Sequence, residues 1–161
     1  LMDGDHSINK CFDVTSKVLA ECYKELKINN VNLKGTVLKP NMILPGSNCK
    51  QKSTNDEIAK LTLDCIKNNM PKEVPGVAFL SGGQSEIEAT KNLNAINKIN
   101  DTSLNFTFSY GRALQQSALK TWAKSTKDID SVQKVFNHRA MMNGASTEAK
   151  WDEKLEKSFA A

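Results

Sequence analysis

The chain has 161 residues, 39% of them hydrophobic, and 22 Lys and Arg against 18 Asp and Glu give a net charge of +4. This composition suits one globular domain with a real core, and it excludes collagen-like and low-complexity classes. No apolar run approaches the ~20 residues that span a bilayer, so no membrane partner is expected.

The opening Leu1-Met2-Asp3-Gly4-Asp5 has neither a basic region nor an apolar region of the kind that makes a secretory signal. With no Met at position 1, the chain reads as a piece of something longer. Over residues 7–27, Ile8, Cys11, Thr15, Val18, Leu19, Cys22 and Leu26 recur at three- and four-residue spacing, which predicts an amphipathic helix ended by Asn29-Asn30. A short strand is predicted over Lys34–Lys39, stopped by Pro40, and then a loop to Lys52 with a turn at Pro45-Gly46. Thr54-Asn55-Asp56-Glu57 has the form of a capping box and opens a helix with Ile58, Leu61, Cys65 and Ile66 on one face, terminated by Pro71. The continuous apolar run Gly76–Leu80 predicts a strand buried on both faces. After Ser81-Gly82-Gly83, a second box, Ser85-Glu86-Ile87-Glu88, starts a helix to about Lys98. A third strand, Asn105–Tyr110, gives way at Gly111 to a helix through about Lys124. A last helix is predicted near Asp130–Met142, and the tail after Gly144 has one weak amphipathic stretch.

Helices alternating with strands imply right-handed crossovers and parallel strands, hence an α/β fold. Two architectures fit: an open doubly wound sheet, or an arc of a (β/α)8 barrel. Three strands are too few to close a barrel, which takes ~200 residues or more. The cysteines Cys11, Cys22, Cys49 and Cys65 form no C-x-x-C pair, and His6 and His138 lie far apart, so no metal site is expected. Cysteines on apolar helix faces predict buried free thiols and a reducing, cytosolic compartment. The lysines are scattered rather than gathered in a stripe, which argues against a nucleic-acid partner. A mildly positive surface still favours anionic small substrates.

Three features fall at the carboxyl ends of the predicted strands, where parallel α/β folds place their chemistry. Lys39 alternates with Val37 and Gly35 on one strand face. If that face is interior, desolvation frees the amine to attack a carbonyl and form a Schiff base; the alternative is a lysine reaching out to water. The Ser81-Gly82-Gly83 turn lets backbone N–H groups and a helix N-terminus meet an anion, or it is merely a tight turn. Arg112, one of only two arginines with Arg139, brings a planar fork suited to phosphate, or to an ordinary salt bridge.

Three longer segments resemble class I fructose-1,6-bisphosphate aldolase. They are Gly35-Thr36-Val37-Leu38-Lys39-Pro40-Asn41-Met42, Phe79-Leu80-Ser81-Gly82-Gly83-Gln84-Ser85 and Phe108-Ser109-Tyr110-Gly111-Arg112-Ala113-Leu114-Gln115. Asp3-Gly4-Asp5-His6 and Asn92-Leu93-Asn94-Ala95-Ile96-Asn97 resemble it too, and the matches keep the family's order from Leu1 to about Asn143. The resemblance implies a partial (β/α)8 barrel: strands six, seven and eight with their helices in residues 1–144, then a C-terminal tail in 145–161. It implies that Lys39 is the Schiff-base lysine, and that Ser81, Gly82, Gly111 and Arg112 bind the phosphate of dihydroxyacetone phosphate. The implied reaction is glycolytic, reversible cleavage of fructose 1,6-bisphosphate into that triose and glyceraldehyde 3-phosphate, with no metal or other cofactor. A cytoplasmic homotetramer is implied for the intact protein. The alternative is a non-catalytic module that binds actin or acidic peptide tails.

Departures from the family's pattern are also visible. Its acid–base glutamate and second lysine belong to earlier strands, so the segment alone is expected to have at most a trace of activity. Exposed lumen residues and open sheet edges also predict poor solubility for the segment alone. Ile87 stands where relatives commonly carry an acid, and the chain ends Phe159-Ala160-Ala161 where they end in tyrosine.

Overall fold

Short polar side chains start most of the helices by supplying acceptors for amides that lack a preceding turn. The computed structural model describes residues 2–158; Leu1 and residues 159–161, with the divergent end of the tail, lie outside the described residues. Ser7 accepts from the Lys10 amide at the head of α1 (Ile8–Ile28), and Thr54 accepts from the Glu57 amide at the head of α2 (Asn55–Asn69). Ser85 forms the full reciprocal box with Glu88 and opens α3 (Glu86–Ile99). Asn30 ends α1 at a φ of 54°, with the Val31 amide donating to the Leu26 carbonyl, the long bond of a Schellman turn.

Strands β1 (Gly76–Phe79) and β2 (Asn105–Phe108) pair in parallel, with Val77 opposite Phe106. The first predicted strand, 34–39, is shorter than expected. Leu33–Gly35 is a 3-10 turn whose start is held by the Asn32 side chain, and only Leu38 bridges to Val77. The 3-10 turn takes the first residues out of the ladder, and Pro40 ends it at the other side. The Leu38 amide donates to Gly76, and Leu38 and Pro40 accept from Ala78 and Leu80, but proline has no N–H for the remaining rung.

One face of these strands is covered and the other is open. Val77, Phe79 and Phe106 are buried, and the Phe79 and Phe106 rings stack at 5.9 Å. Helix α3 packs on β2 and lies between α2 and α5, while α1 packs on α2. On the opposite face Ala78 and Leu80 are only partly buried, and Thr107 and Ser109 are exposed.

The face of α1 differs from the predicted one. Its buried residues are Ile8, Cys11, Leu19 and Tyr23, so Val18 and Cys22, on the edge of that arc, are exposed. Helix α4 (Arg112–Lys124) packs mainly on α5 (Ile129–Thr147). The last helix continues past the predicted Met142, and Gly144 lies inside it. A second Schellman turn, with Ala149 at a φ of 57°, reverses the chain into α6 (Glu153–Lys157). The tail is therefore packed, with Trp151 buried and its backbone amide donating to Asn94 Oδ1. Among the described residues no helix is long and apolar enough to cross a membrane.

Candidate active site

Two backbone hydrogen bonds bring the strand ends onto one rim. The Leu80 amide donates to Pro40 at 3.0 Å, and the Ser109 amide donates to Phe79 at 2.8 Å. Lys39, the 81–83 turn and the Gly111–Arg112 elbow accordingly lie at the carboxyl ends of neighbouring parallel segments, in that order.

Because Leu38 is opposite Val77 and Val77 opposite Phe106, Lys39 shares a row with Ala78 and Thr107. That row is on the open face. Lys39 is exposed there, as is Val37 at 62%. The dry surround that Schiff-base chemistry asks of this amine is not formed among the described residues, because none of their elements stands opposite the face. A strand face becomes a lumen only when further strands close around it.

The glycine turn is built for its conformation. Gly82 and Gly83 have φ of 61° and 100°, values that side chains with a Cβ rarely adopt. Gln84, which sequence reasoning passed over, fixes the turn from beneath. It is 5% exposed, and both its amide and its Nε2 donate to the Ser81 carbonyl, at 3.0 and 2.9 Å. Asn92 Nδ2 donates to Gln84 Oε1 at 2.7 Å, and Asn55 Nδ2 donates to Asn92 Oδ1 at 2.6 Å. A line of amides thus runs from the head of α2 through α3 to the candidate anion loop. The available signal was a glutamine set between a glycine pair and an N-cap serine. We expect Gln84→Leu to cost about 1–3 kcal/mol, because it strands the Asn92 donor in the interior; urea unfolding measures it.

The elbow after β2 is different in kind. Gly111 caps α4 without a side-chain bond, whereas Ser7, Thr54, Ser85, Asp128 and Asp152 each supply one to their helices. The amides of the first turn of α4 therefore have no side-chain acceptor at their cap, and the exposed Arg112 stands beside them. Tyr110 is buried just before the elbow, donates from its hydroxyl to the Ala89 carbonyl at 3.1 Å, and has its pKa pushed well up by burial. Met2–His6 crosses nearby, its Met2 amide donating to Gly82 and its Gly4 and His6 carbonyls accepting from Asn48 and Gly46. Among the described residues no group of three or more His, Cys, Asp and Glu side chains is placed to share a metal ion.

Helices over one face of parallel strands, with the candidate chemistry in the loops at their carboxyl ends, define an α/β protein of enzyme-like layout. The family model "Fructose-bisphosphate aldolase class-I" matches residues 1–161, and the chain belongs to that family. It is 51% identical over 148 residues to "Fructose-bisphosphate aldolase 4, cytosolic" of Arabidopsis thaliana, covering 91% of this chain and 38% of that protein. It is 47% identical over 162 residues to "Fructose-bisphosphate aldolase C" of Pan troglodytes, covering 100% of this chain and 44% of that protein. A solved Plasmodium falciparum fructose-bisphosphate aldolase, in complex with TRAP and a small-molecule inhibitor, superposes with a TM-score of 0.91 at 44% identity, over 94% of this chain and 44% of the other. The chain spans about two fifths of the length of these relatives.

Proposed function

We propose that the protein is a class I fructose-bisphosphate aldolase of glycolysis, cleaving fructose 1,6-bisphosphate reversibly into dihydroxyacetone phosphate and glyceraldehyde 3-phosphate. The observation that carries the reading is the shared rim. An amine, a glycine turn at a helix N-terminus and an arginine elbow follow one another on neighbouring strand ends, as the reaction requires of nucleophile and phosphate grip.

In this reading the Lys39 amine adds to the ketose carbonyl, water leaves, and the resulting protonated imine draws in the electron pair of the carbon–carbon bond that breaks. Ser81, the Gly82 and Gly111 backbone and Arg112 hold the phosphate of the ketose half, so that its carbonyl reaches the amine in one orientation. No cofactor enters this scheme.

The one-sided covering of the strands favours an arc of a (β/α)8 barrel, strands six to eight, over a doubly wound sheet, which carries helices on both faces. An apolar groove between α4 and α5, with Leu119, Trp122, Ile129 and Phe136 partly open, is a face that a larger barrel assembly would bury. A cytoplasmic setting is supported by relatives named cytosolic and cytoplasmic. The homotetramer belongs to the same proposal. Binding of acidic peptide tails or actin is a second reading, supported to the extent that the Plasmodium enzyme was solved in complex with a partner, TRAP.

The test is reductive trapping. Incubation of the intact protein with dihydroxyacetone phosphate and borohydride, followed by peptide mass analysis, should place a stable adduct on Lys39. An adduct on another lysine, or none, would sink the assignment.

A further inference from the structure

We propose that Glu86 is a positioning residue for the phosphate grip, holding the Gly111–Arg112 elbow at a fixed distance from the 81–83 turn. The proposal rests on the functional reading above, since it concerns how the two halves of that grip are kept in register.

Glu86 is the first residue of α3, yet the capping box there is completed by Ser85 and Glu88. The Glu86 carboxylate turns instead to the neighbouring helix. Its Oε1 accepts from the Ser117 backbone amide at 3.0 Å, and its Oε2 accepts from the Ser117 hydroxyl. Ser117 lies in the second turn of α4, one turn beyond Arg112. A second tie reaches α3 from the other side of the elbow, where the Tyr110 hydroxyl donates to the Ala89 carbonyl at 3.1 Å. Glu86 and Ala89 are one helical turn apart on α3, so they lie on the same face.

The elbow is therefore bracketed. Residue 110 before it and residue 117 after it are both fastened to the first turns of the helix that the glycine turn feeds. Helix α4 otherwise packs mainly on α5 and touches α3 lightly. Without Glu86 the N-terminal end of α4 keeps the Tyr110 tie and the packing of Ala113 and Leu114 but loses its polar bonds to the head of α3, so the elbow can shift relative to the glycine turn and the guanidinium with it. A carboxylate suits the role because it takes two donors at once, and the N-terminal dipole of α3 favours the charge at this position. The neutral amide of a glutamine can still accept from the backbone N–H and donate to the hydroxyl oxygen, so it should preserve the strut.

The experiment measures the ligand concentration that half-saturates borohydride trapping at Lys39, with dihydroxyacetone phosphate and, in parallel, unphosphorylated dihydroxyacetone. For Glu86→Ala we expect a rise of about tenfold for the phosphate ester and no change for the unphosphorylated ketone. Glu86→Gln should stay within about twofold of the parent, and Ser117→Ala, which cuts one of the two bonds, should fall between them. If Glu86→Ala does not fold, the ordering of Glu86→Gln and Ser117→Ala decides. Equal losses with both ketones would mean a general structural role and would overturn the proposal, as would an unchanged phosphate-ester value. A parent protein that traps neither ketone removes the functional reading itself, and this inference with it.

Discussion

In the intact protein, a Lys39→Met variant forms no borohydride-stable adduct with dihydroxyacetone phosphate, and its cleavage activity falls below detection. Methionine is close to lysine in length and cannot donate an electron pair to a carbonyl carbon as an amine does. The fold should be indifferent to the change. Lys39 is exposed, the ladder bonds of this segment are made by the Leu38 and Pro40 backbones, and its buried residues are Leu33 and Pro40. Lys39→Arg sharpens the test. A guanidinium keeps the positive charge near a phosphorylated ketose but stays protonated, so it retains attraction and loses nucleophilicity. Thermal unfolding of both variants should match the parent while trapping is lost in both. Persistent trapping in Lys39→Met, with the adduct moved to Lys34 or Lys52, would mean that general surface amines react and that the strand position confers nothing.

How much of this was legible depended on whether the governing interaction was local. The α3 head was readable because Ser85 and Glu88 are three residues apart and form a closed motif. The Asn29-Asn30 stop was readable because asparagine tolerates the left-handed region. The strand at 34–39 was overread. Only residues 37–39 keep the predicted alternation, since Gly35 lies in the 3-10 turn, and the proline that bounds the segment removes a rung of the ladder.

The rim of candidate residues followed from strand order and resemblance, whereas its supports did not. Gln84, Asn92 and Asn55 meet across three elements, and nothing in their separate neighbourhoods distinguishes a buried amide from a surface one. Glu86 was legible as an acidic residue in a first turn, but its partner lies 31 positions away. The tail was underread for the same reason. Its amphipathic signal is weak because it is fastened by one carboxylate and one indole rather than by an apolar stripe.

That fastening sets the largest stability effect we expect. Glu156 accepts from Arg139 Nη1 at 3.2 Å, from Nη2 of the same side chain, and from Trp151 Nε1 at 2.7 Å, with His138 Nε2 at 3.5 Å. Arg139 is 6% exposed and donates also to Thr90 Oγ1. Burial works to raise the Glu156 pKa, but the Arg139 and Trp151 hydrogen bonds and the charges of Arg139 and His138 outweigh it, so the carboxyl is held below its ordinary value. A carboxyl depressed in the folded state stabilises fully above its unfolded pKa, ~4.3, and loses that contribution as pH falls through the lower folded value. Acidification below ~4.3 should therefore loosen residues 149–158 before the core. Trp151 fluorescence, read in a Trp122→Phe background, should report the change.

Glu156→Gln should cost about 3 kcal/mol at pH 7, because it leaves a buried guanidinium without its counter-charge. It should also flatten the acid limb of the unfolding curve. The paired replacement Arg139→Met with Glu156→Leu should recover most of the loss. It removes both charges together, and with them Arg139 Nε, a buried donor that has no hydrogen-bond partner among the described residues. A double variant as unstable as the single one would show that Thr90 and Trp151, rather than the ion pair, carry the attachment.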